Sequence, residues 1–280
     1  MRLSRTRQET RSWVHSCRLA GERVALVPTM GYLHEGHLSL IRRAREVADR
    51  VAVSIFVNPL QFGPNEDYEQ YPRDLDRDLD LCSEAGAHFA FAPSVEEMYP
   101  GGEPWVNVVP VRGADRLCGA SRPGHFAGVL TVVAKLFAIV QPDVAVFGQK
   151  DYQQLVLIRR MVRDLNLDIE IVSGPIVRDP DGLAMSSRNT YLSPEERTRA
   201  LALSRALQRC QELYASGERN AEAFRGLLLQ IDGPGVELEY GEVVDPDTLD
   251  PLEEVREGAV CAVAARVGRT RLIDNTILGT

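Results

Sequence analysis

Over the first 175 positions, short unbroken apolar runs alternate with stretches where apolar residues recur every three or four places. That alternation predicts strand and helix in turn. Val24-Ala25-Leu26-Val27, Val51 to Val57, His88 to Ala92, Asp143 to Phe147 and Ile169 to Val172 read as strands. The run from Val51 is almost wholly apolar, as expected of a parallel sheet covered on both faces. Helical spacing marks Thr6 to Arg18, the series Leu38, Leu40, Ile41, Ala44, Val47 and Ala48, then Phe126 to Val140 and Tyr152 to Leu165. Asp74 to Ala85 is also helical, and its acidic run reads as a solvated face from which Asp76 or Asp78 could reach a nucleotide-bound metal. Strands alternating with helices predict an α/β fold built on a Rossmann-like, doubly wound parallel sheet.

Past Gly174 the pattern changes. Ser193 is an N-cap with Pro194 at the first helical position, opening a helix to about Tyr214, and Ala221 to Ile231 forms another. Val236 to Val244, Ala259 to Val267 and Thr270 to Asp274 then alternate as antiparallel strands do. The expected division is a Rossmann-like domain at 1–174 and a smaller α+β domain at 175–280.

Composition narrows the class. With 280 residues, 44% of them hydrophobic, and a net charge of −8, the chain can build a full core and is a poor match for nucleic acid as main partner. No apolar run is long enough to span a bilayer, and the charged stretch Met1 to Arg11 is followed by no apolar leader core, so a cytoplasmic protein is expected. Five cysteines, at 17, 82, 118, 210 and 261, show no paired spacing and read as small buried hydrophobes. Only Lys135 and Lys150 interrupt a basic set that is otherwise arginine, which directs attention to places where a compact ammonium is needed.

Four polar groupings follow the strands. Pro28-Thr29-Met30-Gly31-Tyr32-Leu33-His34-Glu35-Gly36-His37 joins a buried strand to a helix start, with glycines, fresh backbone N–H donors and two imidazoles suited to an anion. An ordinary βα turn with structural histidines is the plain alternative. His-Glu-Gly-His is one residue short of the zinc-protease spacing, so no zinc is expected there. Gln61 lies in a long loop from Asn58 to Arg73, at the carboxyl end of a strand, where loops tend to be functional. Gly148-Gln149-Lys150-Asp151, with Gln154 behind it, repeats the strand-turn-helix arrangement, and Met185-Ser186-Ser187-Arg188-Asn189 offers hydroxyls and a guanidinium for phosphate oxygens. Neither a Walker loop nor a Gly-x-Gly-x-x-Gly fingerprint is present, and no Ser-His-Asp or Cys-His arrangement can be assembled. Histidines, lysine and a Ser-Ser-Arg loop around one nucleotide in an interdomain crevice fit direct attack at an α-phosphate.

Taken together, Pro28 to His37, Phe56-Val57-Asn58-Pro59-Leu60-Gln61-Phe62, Gly124-His125-Phe126, Phe147 to Gln154 and Met185 to Asn189 resemble the pantoate–β-alanine ligase family of the HIGH-motif nucleotidyltransferase superfamily. The resemblance runs in order from about residue 20 to 195, and it departs at Gln149, where many members are acidic. It implies ligation of pantoate to β-alanine through a pantoyl adenylate, with ATP as substrate, Mg2+ alongside it and a homodimeric enzyme. By position it implies catalytic roles for His34, His37 and Lys150. ATP would lie along Met30, Gly31, Tyr32, Leu33, His34, Glu35, Gly36, His37, Gly148, Gln149, Lys150, Asp151, Val177, Met185, Ser186, Ser187 and Arg188. Gln61 and Gln154 would hold pantoate, Gln61 would also meet β-alanine, and the C-terminal domain would be a lid; no metal ligand is identifiable. The competing expectation is a nucleotidyltransferase of the same superfamily with a phosphorylated acceptor, for which cations would be wanted in place of the two glutamines.

Overall fold

The computed structural model describes residues 1–64 and 66–279. In its first compact unit (residues 1–111, 122–149 and 157–175) six parallel strands form one sheet. They are β1 (Arg2–Ser4), β2 (Val24–Thr29), β3 (Arg50–Ile55), β4 (Phe89–Phe91), β5 (Val144–Gly148) and β6 (Glu170–Gly174), in the order β1-β4-β3-β2-β5-β6. β2 pairs with β3 from Val24↔Arg50 to Thr29↔Ile55 and with β5 at Ala25↔Val144 and Leu26↔Ala145. The chain winds outward from β2 in one direction and restarts at β5 in the other. The carboxyl ends of β2 and β5 therefore flank the switch point at which open α/β sheets bind ligands.

Between the strands run α1 (Arg7–Leu19), α2 (Glu35–Val47), α3 (Leu75–Glu84), α4 (Val95–Met98), α5 (Leu117–Ser121), α6 (His125–Val140) and α7 (Tyr152–Asp164). On one face Ala25, Val27, Val51, Val53, Val144 and Val146 pack with Leu38, Leu40, Ile41 and Ala44 of α2 and Cys82 of α3. On the other, Trp13 of α1 stacks on Phe89 with centroids 4.4 Å apart, and Phe137 of α6 meets Phe147 edge-on. Cover on both faces explains why β2 and β3 read as continuous apolar runs rather than as alternation. β1, α4 and α5 have no counterpart in the sequence reading, because three to five residues are too few to display a period.

The second unit (residues 112–121, 150–156 and the chain from Ile176 onward) is built on the antiparallel sheet β7 (Val236–Val244), β8 (Val260–Val267) and β9 (Thr270–Ile277), with α8 (Pro194–Ala215) and α9 (Ala221–Leu229). α8 opens as its sequence dictates, on a Ser193–Glu196 capping box with Pro194 in the first turn. Cys261, Val263 and Ala265 face Leu203, Leu207, Phe224 and Leu228, while Val260 and Ala262 face Leu117, Tyr152, Val156 and Leu249. β8 is thus apolar on both sides and buried except at Arg266, so it does not show the alternation expected of it.

Gly128 on α6 marks a close approach to backbone in the first unit: a Cβ there would lie 2.2 Å from the Leu60 carbonyl oxygen and 2.8 Å from the Gln61 nitrogen. Backbone cannot step aside as a flexible side chain can, so Gly128→Ala is expected to destabilise by about 1–3 kcal/mol, the usual cost of overpacking, measured by urea unfolding. An unchanged midpoint would show that the 59–61 turn is not held against α6.

Candidate active site

β2 delivers the chain to a turn that is fastened from several sides. Thr29 Oγ1 donates to the Ser54 carbonyl at 2.8 Å and accepts the Gly31 N–H at 3.2 Å. Gly31 and Tyr32 both take left-handed φ values, +83° and +49°. A Cβ on Gly31 would stand 2.9 Å from Asp78 Oδ2 and 3.1 Å from Ile55 Cγ2, so glycine is required by space as well as by conformation.

Asp78 is the anchor of this turn. Its carboxylate, 1% exposed, accepts the Tyr32 and Leu33 N–H groups, one on each oxygen and both at 2.7 Å. Neighbouring Arg77 donates to the Leu33 carbonyl at 3.0 Å and lies over the Tyr32 ring. Burial pushes the Asp78 carboxyl above its ordinary range, against the opposing pull of the two N–H donors and Arg77. The acidic run on α3 is therefore not simply a solvated face, and Asp78 does not project toward a nucleotide-bound metal. Its charge holds the turn, which spacing along α3 could not reveal.

The helix start is capped by imidazoles. Gly36 N–H donates to His34 Nδ1 at 3.2 Å, and His34 N–H donates to His37 Nδ1 at 3.3 Å, with the rings tilted 42° at 4.1 Å. An Nδ1 that accepts a backbone N–H carries no proton, so each neutral ring is the Nε2–H tautomer. Fresh N–H donors are expected of this turn and helix start. Four of those N–H groups, at Tyr32 and Leu33 in the turn and at His34 and Gly36 at the helix start, are met within the protein, and imidazole edges are presented instead.

Gln61 follows β3 on a short 3-10 turn, Pro59–Gln61, capped by Asn58. Its amide is oriented by neighbours: Oε1 accepts from Asn58 Nδ2 at 3.1 Å, and Nε2 lies 3.1 Å from Met30 Sδ. Asn58 is buried, donates also to the Gly128 carbonyl at 3.2 Å, and accepts from the Tyr99 hydroxyl at 2.8 Å. Burial pushes the Tyr99 hydroxyl up, keeping it a donor. Asn58 stands in the Phe56–Phe62 motif, where the Asn-Pro pair signals a turn, but nothing in the order of residues links Tyr99 to it.

The first unit thus assembles Met30 to His37, Gln61, Gly148 and Gln149 on one sheet. Lys150, Asp151, Gln154, Val177, Met185, Ser186, Ser187 and Arg188 belong to the second. There Lys150 starts the chain toward α7, its carbonyl accepting from Asn275 Nδ2 at 2.9 Å. Met185 N–H donates to the Val177 carbonyl at 3.0 Å, setting those two predicted residues side by side. Arg178 pairs with buried Asp274 at 2.6 Å and fixes the same loop. Residues 187–191 form a 3-10 turn, where an irregular stretch was expected; Ser187 is buried, and Ser186 Oγ accepts the Arg188 N–H at 3.3 Å. Among the described residues no cluster of three or more His, Cys, Asp or Glu could hold a metal ion, and no helix is long and apolar enough to cross a membrane.

A family model described as pantoate–beta-alanine ligase matches residues 2–277. The chain belongs to the pantoate–β-alanine ligase family. It is 53% identical to a pantothenate synthetase of Geobacter sulfurreducens over 282 residues, covering 100% of this chain and 99% of that protein, and 54% identical to one of Thermotoga petrophila over the full length of both. Among solved structures, a pantothenate synthetase of Thermus thermophilus superposes with a TM-score of 0.91 at 50% identity over 99% of both chains. A Francisella tularensis pantoate–β-alanine ligase, solved in complex with a βγ ATP compound and β-alanine, gives 0.84 at 35% identity, covering 100% of this chain and 98% of that one. The likeness extends through both sheets, so the antiparallel C-terminal unit is as much a part of this ligase family's architecture as the Rossmann-like sheet.

Because Asp78 holds two N–H groups at once, Asp78→Asn exchanges one acceptor for a donor facing a donor. It is expected to cost about 1–3 kcal/mol, the penalty of a buried group left unsatisfied, read by chemical denaturation at neutral pH. A loss below a few tenths of that range would mean that the turn is held by Arg77 and Thr29 alone.

Proposed function

We propose that this chain joins pantoate to β-alanine at the expense of ATP, in two steps. A pantoate carboxylate oxygen attacks the α-phosphorus, and the bond to the β-phosphate oxygen breaks, giving pantoyl adenylate and pyrophosphate. The β-alanine amine then attacks the acyl carbon and loses a proton, and the mixed-anhydride bond breaks to give pantothenate and AMP. The observation that carries this reading is the pair of capped imidazoles at the switch point of a sheet that the family shares.

The roles follow from the chemistry of each group. Negative charge builds on the α-phosphate oxygens and on the leaving pyrophosphate, so preorganised donors in a water-poor site supply most of the acceleration. As Nε2–H tautomers, His34 and His37 suit the bridge between the α- and β-phosphates, with His37 the proton donor; Lys150 and Arg188 suit the pyrophosphate. Met30, Gly31, Tyr32, Leu33, Glu35, Gly36, Gly148, Gln149, Asp151, Val177, Met185, Ser186 and Ser187 line the rest of the ATP. Since the Tyr32 and Leu33 N–H groups serve Asp78, their share is shape rather than hydrogen bonding. Gln61 and Gln154 read pantoate through neutral amides that leave its carboxylate nucleophilic, and Gln61 also meets β-alanine.

Mg2+ belongs to this reading only as an ion carried on the nucleotide phosphates. Asp78 is committed to the turn and is not assigned to it. The enzyme is assigned to the cytoplasm.

A homodimer is the assembly we assign. Trp105, Val106, Val109 and Val111 stand 65–102% exposed within eight uncharged residues, Pro104 to Val111, bounded by Glu103 and Arg112. An antiparallel meeting with the same segment of a second copy covers the apolar side chains and brings each Glu103 alongside the other copy's Arg112, a self-complementary arrangement.

Isotope exchange between pyrophosphate and ATP is expected to require pantoate and not β-alanine; exchange without pantoate would overturn the adenylate. Lys150→Ala should lower turnover by on the order of a hundredfold or more, as for loss of one preorganised donor, while Gln154→Ala should mainly raise KM for pantoate. Val109→Arg is expected to shift the protein from dimer to monomer in sedimentation, and an unshifted species would remove this segment from the interface.

A further inference from the structure

The Gly124-His125-Phe126 motif has no part in the roles above, yet His125 stands against the residue assigned to pantoate. It is the first residue of α6, entered through Gly124 at a φ of +83°. Its Nδ1 lies 2.8 Å from the main-chain carbonyl oxygen of Gln61. A carbonyl only accepts, so Nδ1 bears the proton. The other ring nitrogen, Nε2, is 3.1 Å from Arg122 Nη1, and a guanidinium only donates, so Nε2 bears none. His125 is held as the neutral Nδ1–H tautomer, the reverse of His34 and His37.

Arg122 is itself placed by Glu66. The guanidinium, 13% exposed, makes a two-point bond to the carboxylate, Nε to Oε1 at 2.7 Å and Nη2 to Oε2 at 2.6 Å. The same Nη2 donates to the Gln61 carbonyl at 3.2 Å. Burial alone would raise the Glu66 carboxyl, but the Arg122 hydrogen bond and charge outweigh it and hold the group below the usual carboxylate range. Two donors, one imidazole and one guanidinium, therefore converge on a single carbonyl, and both depend on an acid five residues further along the chain.

We propose that Glu66, Arg122 and His125 are positioning residues for Gln61. Glu66 orients Arg122, Arg122 sets the His125 tautomer, and together they pin the Gln61 backbone while Asn58 turns its side-chain amide. The amide is then fixed at both ends before substrate arrives, so its hydrogen bonds to the substrate need no reorganisation. The substrate half of this inference rests on the assignment of Gln61 to pantoate and β-alanine; the tautomer half does not.

The test uses full-length protein and two readouts. In 15N–1H correlation spectra of the imidazoles at about pH 7.5, where a neutral imidazole is the dominant form, assigned with His125→Gln, His125 is expected as the Nδ1–H form, and Glu66→Gln is expected to abolish that single-tautomer signature. Finding His125 as Nε2–H, or an Nδ1–H signature untouched by Glu66→Gln, would overturn the chain of placement whatever the substrate. In steady-state assays Glu66→Gln is expected to raise KM for pantoate or β-alanine by about tenfold, with KM for ATP within about twofold and Glu66→Asp restoring part of the loss, the size of one hydrogen bond misplaced. Parallel rises in all three KM values, or no rise in any, would overturn the positioning role. Should no pantothenate form with the unaltered protein, the substrate assignment falls and the tautomer result still decides the rest.

Discussion

The carboxylate of Asp78 is the contact on which the ligand-facing part of the first unit depends. A buried negative charge is tolerable only where donors surround it, and here the donors are the two N–H groups of the turn after β2. The turn in turn needs that charge, because Gly31 and Tyr32 sit in left-handed conformations that a chain does not hold without support. Arg77 completes the clamp on the Leu33 carbonyl and the Tyr32 ring. One turn of α3 thereby sets where α2 begins, and so where its histidines stand.

Polar groups near the switch point are committed to one another in a particular sense of donor and acceptor. His34 and His37 spend Nδ1 on backbone N–H groups, His125 spends Nδ1–H on a carbonyl, and the Gln61 amide has its oxygen on Asn58. Each commitment fixes which atom of the group remains directed elsewhere. In adenylate chemistry that matters more than net charge, since the work is to place donors against oxygens whose charge grows in the transition state. On the proposed assignment, a neutral amide for the carboxylate nucleophile and imidazole N–H groups for a phosphate would be a division of labour set by hydrogen-bond sense.

Sheet topology supplies the framework for these commitments. With β2 and β5 adjacent and their connections running in opposite directions, loops far apart in sequence emerge at one edge: the turn at 30–37, the 59–61 turn after β3 and the Gly148-Gln149 end of β5. Close approach of α6 at Gly128 then sets the depth of the 59–61 turn. Relatives at about half identity share this architecture through both units, consistent with a framework whose parts cannot be moved singly.

Order of residues by itself determined the α/β class, the parallel sheet, the main helices and the placing of the motifs at 28–37, 58–62 and 148–151 at strand ends, because strand and helix periods and the turn chemistry of glycine and proline are local properties. Motifs in sequence also sufficed for the family. Hydrogen-bond sense was not legible, since whether an imidazole nitrogen donates or accepts depends on a neighbour that periodicity does not name. Nor was Asp78: within a run of acids nothing distinguishes the one that turns inward until α3 packs beside β2. The same holds for Tyr99 beneath Asn58 and for Glu66 behind Arg122, contacts 41 and 56 residues apart along the chain. Tertiary structure decided these, because a buried charge or hydroxyl takes its meaning from the partners that packing brings to it.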